Sequence, residues 1–174
     1  MEVTTSAVKE LRERTGAGVM ECKRALVEAG GNVERAIEVL NRQGLARADR
    51  KSGRLASQGV IDSYLHAGGR IGAMVELNCE TDFVARTDDF KKLAHDIAMQ
   101  IAATGPRCIT AAEVPAEESD RVTELALLAQ PFIKESSVTI EDLIKRHIAK
   151  LGEAVQVRRF ARFVLGEDPS APTA

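Results

Sequence analysis

With 174 residues, of which 44% are hydrophobic and 29% charged, the chain has enough apolar material for a packed core and is not an intrinsically disordered sequence. A net charge of -2 and a pI of about 6.0 argue against a phosphate-driven nucleic-acid binder, and 3% aromatic residues leave few platforms for base stacking. No apolar run reaches the about 18 residues that cross a bilayer. The charged N-terminus lacks a signal core, so we expect a cytoplasmic protein without membrane contact.

The first 45 residues predict three short helices with apolar stripes at helical spacing. The segment TGAG at 15–18 separates the first two helices, and Gly30 with Gly31 ends the second. Asn32 is a good N-cap for the third helix. Residues 1–45 are therefore expected to form a compact three-helix bundle.

A polar, positively biased connector at residues 46–58 follows the bundle. Its arginines and lysine suggest a nucleic-acid patch, but Asp49 interrupts them and no aromatic residue lies among them. A solvated linker or an extension of the preceding helix is the favoured interpretation.

From residue 59 the apolar pattern changes to the alternation of β-strands. Val60 to His66 and Ile71 to Cys79 predict a hairpin around the glycine-rich turn AGGR at 67–70. Ala154 to Leu165 predicts a third strand.

Helices are predicted between the second and third strands. The strongest begins at the cap Thr87 and ends before Pro106, a second covers about 117–128, and a third begins after Thr139. The segment QPFIKESS between the last two is expected to be a loop. The fold class is therefore α+β: the N-terminal bundle, then a core at 59–166 with a small three-stranded antiparallel sheet covered by helices, and a flexible tail at 167–174.

The sequence offers no convincing catalytic or metal site, so we expect neither an enzyme nor a bound cofactor or metal. Cysteines are odd in number without a C-x-x-C pair, and histidines lack the spacing of metal ligands. Cys22 and Cys79 are expected to be buried apolar thiols. The cysteines and histidines are Cys22, Cys79, Cys108, His66, His95 and His147.

The stretch NCETDFVAR at 78–86 joins the second strand to the strongest helix and places Phe83 beside Asp82 in a polar junction. Leaving a phenylalanine in water is unfavourable. The residues alone leave two interpretations open: Phe83 packs locally against the following helix, or it is buried by another molecule.

Two long motifs resemble bacterial translation elongation factor Ts. KELRERTGAGVMECKRALVEAGGNVERAIEVL at 9–40 is similar to that family's N-terminal bundle, which is of the ubiquitin-associated type. VELNCETDFVAR at 75–86 is similar to the family's T-D-F-V signature, and KLGEAVQVRRF at 150–160 resembles the segment entering its last core strand. Longer members carry two core subdomains, so the chain resembles the short form.

The resemblance implies guanine-nucleotide exchange on elongation factor Tu, whose GDP-bound and nucleotide-free forms are the expected partner. It implies that Thr81, Asp82, Phe83 and Val84, called the TDFV segment below, enter the GTPase and disturb its magnesium site. The single core implies a homodimer in which a second copy supplies the missing half. Lower-ranked partner-binding positions implied by the resemblance are Val19, Lys23, His66, Leu151 and Gly152.

A different class of function shares the bundle: a ubiquitin-associated-type adaptor or an RNA-binding module. The basic connector and Arg158, Arg159 and Arg162 support it. The acidic balance and the shortage of aromatic residues disfavour it.

Overall fold

A computed structural model describes residues 3–51 and 53–167, apart from the side chains at 45 and 47. The fold is α+β, as the sequence predicts, with an N-terminal helical bundle and a small antiparallel sheet. All of the predicted tail except Glu167 lies outside the described residues. In the part of the chain that is described, no helix is long and apolar enough to span a membrane.

The bundle consists of α1 (Thr5–Thr15), α2 (Val19–Glu28) and α3 (Val33–Lys51). Gly16 ends α1 in the left-handed region with φ 69°, a conformation that glycine adopts without steric cost. The Asn32 side chain accepts from the amide of Arg35, which confirms the predicted cap of α3. Leu11, Cys22 and Leu26 are fully buried in a small apolar cluster of the bundle's own.

Helix α3 runs past the bundle and joins it to the rest of the molecule. It includes the predicted connector as far as Lys51, as the helix-extension interpretation expects. The predicted boundary at residue 45 therefore lies inside a continuous helix. Ala48 is completely buried in the main core, and Asp49 pairs with Lys145 at 2.9 Å. The extension therefore packs against the core.

Strands β1 (Gln58–Leu65) and β2 (Ile71–Cys79) form the predicted hairpin, and β5 (Val155–Val164) pairs with the other edge of β2. The core sheet therefore has the strand order β1-β2-β5, with all neighbours antiparallel. Alternate residues of β2, among them Ala73, Val75 and Leu77, are buried in the core. This period-two burial is the expected result of one face packing on helices.

Within the described residues, four α-helices follow β2: the single turn α4 (Asp82–Ala85), α5 (Asp88–Thr104), the single turn α6 (Val122–Leu125) and α7 (Ile140–Leu151). Thr87 and Thr139 cap α5 and α7 through their side chains, as predicted. The apolar stripe of α5 is buried against the sheet and α7.

The predicted helix at about 117–128 is wrong. Residues 116–121 form a 3-10 segment, α6 is one turn long, and Ala126 has extended torsions of φ −95° and ψ 116°. The backbone bonds leave the helical pattern because the Cys108 amide donates to the Leu125 carbonyl and the Leu127 amide donates to the Cys108 carbonyl. Pairing with a distant segment thus overrides a weak local stripe.

The predicted loop QPFIKESS at 130–137 is also wrong, because most of it belongs to the two-stranded hairpin of β3 (Pro131–Phe132) and β4 (Glu135–Thr139). Buried Gln100 of α5 fixes this hairpin: its amide group donates to the Pro131 carbonyl and its oxygen accepts from the Ile133 amide. A polar side chain buried among apolar residues is tolerated because both its nitrogen and its oxygen have hydrogen-bond partners.

The sheet surface that faces away from α5 is uncovered, and it is called the open face below. Its exposed apolar side chains are Ile61, Leu65, Met74 and Phe163. Leu65, Gly72 and Phe163 are direct cross-strand neighbours, and a Cβ on Gly72 would lie 2.8 Å from the Leu65 side chain. The Leu65 side chain therefore lies over Gly72, on the side of Phe163. Leu65 and Phe163 are neighbours in one apolar patch across the three strands.

Candidate functional site

The TDFV segment forms the single helical turn α4 rather than a loop. The Thr81 hydroxyl oxygen is its N-cap and accepts from the Val84 amide at 3.4 Å. At the other end, the Thr87 hydroxyl donates to the Val84 carbonyl at 2.8 Å and caps α5. Two threonines thus close a turn that is too short to be stable by itself.

Phe83 lies on the outer side of this turn and is 79% exposed. Ala85 is buried, and Val84 packs partly against the main core. The two interpretations left open by the sequence are therefore separated: Val84 and Ala85 provide the local packing, and Phe83 does not. Asp82 bonds to Arg86 at 2.7 Å across one turn, a surface pair of small energetic value.

The TDFV segment is bound to the loop between α7 and β5 by a reciprocal set of hydrogen bonds, called the clasp below. The Thr81 amide donates to Glu153 Oε2 at 2.9 Å, and the Thr81 hydroxyl donates to Glu153 Oε1 at 2.6 Å. In return, the Ala154 amide donates to Glu80 Oε1 at 2.8 Å. Residues 80–81 and 153–154 thus each supply a carboxylate that accepts a hydrogen bond from a backbone amide of the other pair.

The clasp brings two more of the predicted positions next to the TDFV segment. Leu151 ends α7 and packs partly against the main core, and Gly152 follows in the left-handed region with φ 78°. The Lys51 ammonium of α3 donates to the Gly152 carbonyl. The end of α7 is therefore held by the bundle's long helix and lies beside Glu153.

Val19 and Lys23 are exposed on α2, in the N-terminal bundle. His66 follows β1 at the turn end of the hairpin, whereas Gln58 pairs with Cys79 at the end that carries the TDFV segment. At about 3.3 Å per residue, eight strand residues place His66 on the order of 25 Å from that segment. The structure thus brings Leu151 and Gly152 to the TDFV segment and leaves His66 at the opposite end.

Two ionisable side chains near the clasp, Cys79 and Asp89, have shifted pKa values. Burial raises the pKa of the Cys79 thiol, and the nearby charge of Glu153 raises it further, so Cys79 stays a neutral donor to the Thr81 carbonyl at 3.1 Å. Lys150 bonds to Asp89 at 2.7 Å and lowers the pKa of that carboxyl group. Among residues 3–51 and 53–167, no group of three or more His, Cys, Asp or Glu side chains is arranged to hold a metal.

Sequence reasoning missed Glu153 and Glu80. Glu153 was missed because its function depends on a contact 72 residues away along the chain. Leu55 is 86% exposed just before β1, and neighbouring Arg54 lies 3.6 Å from Glu80.

The α+β fold carries exposed Phe83 and a group of exposed apolar side chains on the open face, and contiguous exposed apolar surface marks a protein-binding protein. The profile of the family described as "Elongation factor TS" matches residues 2–126. A protein named "Elongation factor Ts" from Carboxydothermus hydrogenoformans is 49% identical, covering 95% of this chain and 90% of its own length. Namesakes from a Synechococcus strain and Coprothermobacter proteolyticus are 50% and 47% identical over 96% of this chain, with 70% and 100% of their own lengths covered.

The chain belongs to the elongation factor Ts family. One difference in length stands out within this close similarity. The alignment with the Carboxydothermus protein spans 195 positions, whereas 95% of 174 residues is about 165, so about 30 aligned positions have no counterpart here. The profile match ends at residue 126, inside the irregular stretch between α5 and β3.

Proposed function

We propose that the protein is a guanine-nucleotide exchange factor for elongation factor Tu, the GTPase that delivers aminoacyl-tRNA in translation elongation. Membership of the elongation factor Ts family supports this function. The observation that carries it is Phe83, which is 79% exposed on a turn fixed at both ends. The place of action that follows is the cytoplasm, where translation occurs.

The exchange needs no covalent chemistry. GDP and its Mg²⁺ are held on a GTPase by charge-assisted contacts, so their spontaneous release is slow. A factor that binds the empty GTPase more tightly than the filled one lowers nucleotide affinity by the same factor, because binding free energies are reciprocal. The exchange factor therefore has to supply binding energy to the empty state.

Phe83 is the main source of that energy. Burying a phenylalanine side chain contributes roughly 1.5 to 3 kcal/mol, and 79% of the Phe83 surface is still exposed in the unbound protein. In the proposed complex Phe83 enters a pocket between elements of the GTPase that support its magnesium. Displacing those elements weakens the hold on Mg²⁺ and GDP.

Asp82 has a second role in this proposal. Its carboxylate is free to accept hydrogen bonds from backbone amides that the displacement exposes, once it leaves Arg86. Giving up that exposed pair costs at most about 0.5 kcal/mol. Leu151 and Gly152 contact the same partner from the adjacent loop, and Val19 with Lys23 contact it from the bundle.

The protein is a homodimer in this proposal, and the open face is its contact surface. Leu65, Met74 and Phe163 are between 48% and 74% exposed on one surface, which a second copy related by a two-fold axis covers with the same residues. The pairing of Glu76 with Arg159 at 2.6 Å fills the polar end of this face within each copy. His66 lies beside the patch, so its contact with the GTPase depends on this assembly.

Release of a fluorescent GDP analogue from purified elongation factor Tu tests the proposal. The wild-type chain accelerates release, and Phe83→Ala reduces the acceleration by at least about tenfold, the ratio expected for the loss of about 1.4 kcal/mol. Ile133→Ala is the matched control because Ile133 is another exposed apolar side chain, 43% accessible, on the distant β3–β4 hairpin. Equal activity of the two variants would refute the assigned role of Phe83.

A further inference from the structure

We infer that Glu153 is a positioning residue for exchange: its carboxylate fixes the TDFV segment in the orientation that presents Phe83. This inference rests on the proposed function but concerns a residue outside the TDFV segment. The geometric basis is the clasp, in which one half-buried carboxylate receives both the amide and the hydroxyl of Thr81.

Thr81 is the point from which the orientation of α4 is set. Its hydroxyl oxygen caps the turn by accepting from the Val84 amide, and the same hydroxyl donates its proton to Glu153. The hydroxyl can do both because it is a donor and an acceptor. Glu153 therefore fixes the rotamer of the cap, and the cap fixes the turn that carries Phe83.

Little else holds the outer side of this turn. Asp82 and Phe83 project outward, whereas Val84 and Ala85 at the C-terminal half of the turn pack inward and the Thr81 cap holds its start. A four-residue helix has one turn of backbone bonds, which does not resist fraying in water. The two bonds to Glu153 are charge-assisted and hence stronger than neutral ones.

Glu153 is itself held in place by its neighbours. Gly152 ends α7 with its amide bonded to the Ile148 carbonyl, and Ala154 is completely buried with its amide bonded to Glu80. The carboxylate thus stands between a helix cap and a strand, on backbone that is fixed on both sides. A rigid support of this kind is what a positioning residue requires.

Holding the turn before binding lowers the cost of binding. A mobile turn must be ordered when Phe83 enters the partner. The conformational entropy lost in this ordering weakens the binding of the chain to the empty GTPase. Loss of Glu153 is therefore expected to reduce the effect of Phe83 on GDP release, although Glu153 itself acts on Thr81 and not on the partner.

Two variants separate positioning from general destabilisation. Glu153→Gln keeps an oxygen that accepts from the Thr81 amide and an NH₂ group that donates to the Thr81 hydroxyl oxygen. Glu153→Ala removes both bonds. We expect Glu153→Ala to lower GDP-release activity about tenfold, because both bonds to Thr81 are lost, and Glu153→Gln to retain most of it, because both bonds persist in neutral form.

A double-mutant cycle with Phe83→Ala decides the matter. If Glu153 acts by placing Phe83, Glu153→Ala has no further effect on release once Phe83 is removed. If it supports the fold in general, the two losses multiply. Multiplying losses, or full activity of Glu153→Ala, would overturn the inference.

Hydrogen exchange of the free chain provides a readout that does not depend on the GTPase. We expect the amides of Thr81, Val84 and Ala85 to lose protection in Glu153→Ala, with α5 amides unchanged. Unchanged protection at these three amides would overturn the inference even if exchange activity is confirmed. If the wild-type chain does not accelerate GDP release, the proposed function fails, whereas the effect of Glu153 on the turn is still decided by this measurement.

Discussion

Gly44 of α3 lies directly against Ala149 of α7: a Cβ added at Gly44 would be 3.1 Å from the Ala149 Cβ. This distance is shorter than ordinary van der Waals contact, so the two helices approach as closely as their backbones permit. Together with the Asp49–Lys145 pair, the contact fixes the bundle against the end of the core that carries the TDFV segment.

Gly44→Leu is expected to push α3 away from α7. Overpacking a tight contact costs about 1–3 kcal/mol, and the variant should unfold at a correspondingly lower urea concentration. Gly53→Leu is the matched control, because a Cβ at Gly53 meets nothing within 4 Å. An equal urea midpoint for the two variants would contradict the close helix packing.

Phe83 and Val84 are adjacent in sequence but are expected to differ in their contribution to stability. Val84→Ala removes apolar contacts with the core and should lower the free energy of unfolding by about 1 kcal/mol. Phe83→Ala removes an exposed side chain and should change it by less than about 0.5 kcal/mol. Urea unfolding of both variants measures the difference. A larger loss for Phe83→Ala would mean that Phe83 packs locally after all.

Phe163→Glu should convert the proposed homodimer to a monomer. The substitution places a charge in the apolar part of the open face, where burial against a second copy would leave it without a partner. Sedimentation at micromolar concentration measures the change in mass. Leu55→Glu is the control, because Leu55 is also an exposed apolar side chain, at 86% against 68% for Phe163, but lies outside the sheet. A wild-type chain that is monomeric both alone and with the GTPase would refute the dimer.

His147 is expected to make stability depend on pH below about 6.5. Burial lowers the pKa of its imidazole, while Lys150 lowers it further and Asp89 with Asp96 oppose the shift. In the window below the unfolded-state pKa of about 6.5, the unfolded chain binds a proton that the folded chain does not. The free energy of unfolding therefore falls as the pH decreases through this window.

The His147→Gln variant should lack this component. Urea unfolding at about pH 7.5 and 5.5 gives the two stabilities, and the difference between wild type and variant isolates His147 from the exposed histidines His66 and His95. The account of His147 is wrong if stability falls equally in both proteins.

Most of the fold could be predicted because its signals are local. The cap residues Asn32, Thr87 and Thr139 and the alternation along β2 each specify their element within a few residues. The segment around α6 could not be predicted, because its backbone bonds go to residues 107–109 and these pairings leave no local pattern. The β3–β4 hairpin depends in the same way on Gln100, about 30 residues away.

The candidate site shows the same division. The sequence motif identified the TDFV segment, but two alternatives for Phe83 stayed open until the exposure of its side chain was known. The clasp joins residues 80–81 with 153–154. Its hydrogen bonds could not be predicted from either segment alone, because the two segments are more than 70 residues apart in the sequence. Contacts between distant segments are set by the packing of α7 and β5 around them.

The most direct test of the central claim is the release of labelled GDP from elongation factor Tu with the chain present at about one-twentieth of the GTPase concentration. An exchange factor is regenerated in each cycle, so we expect all of the bound nucleotide to be released, at a rate proportional to the amount of chain added. Release at the spontaneous rate, or release that stops at an amount equal to the chain present, would contradict the proposal.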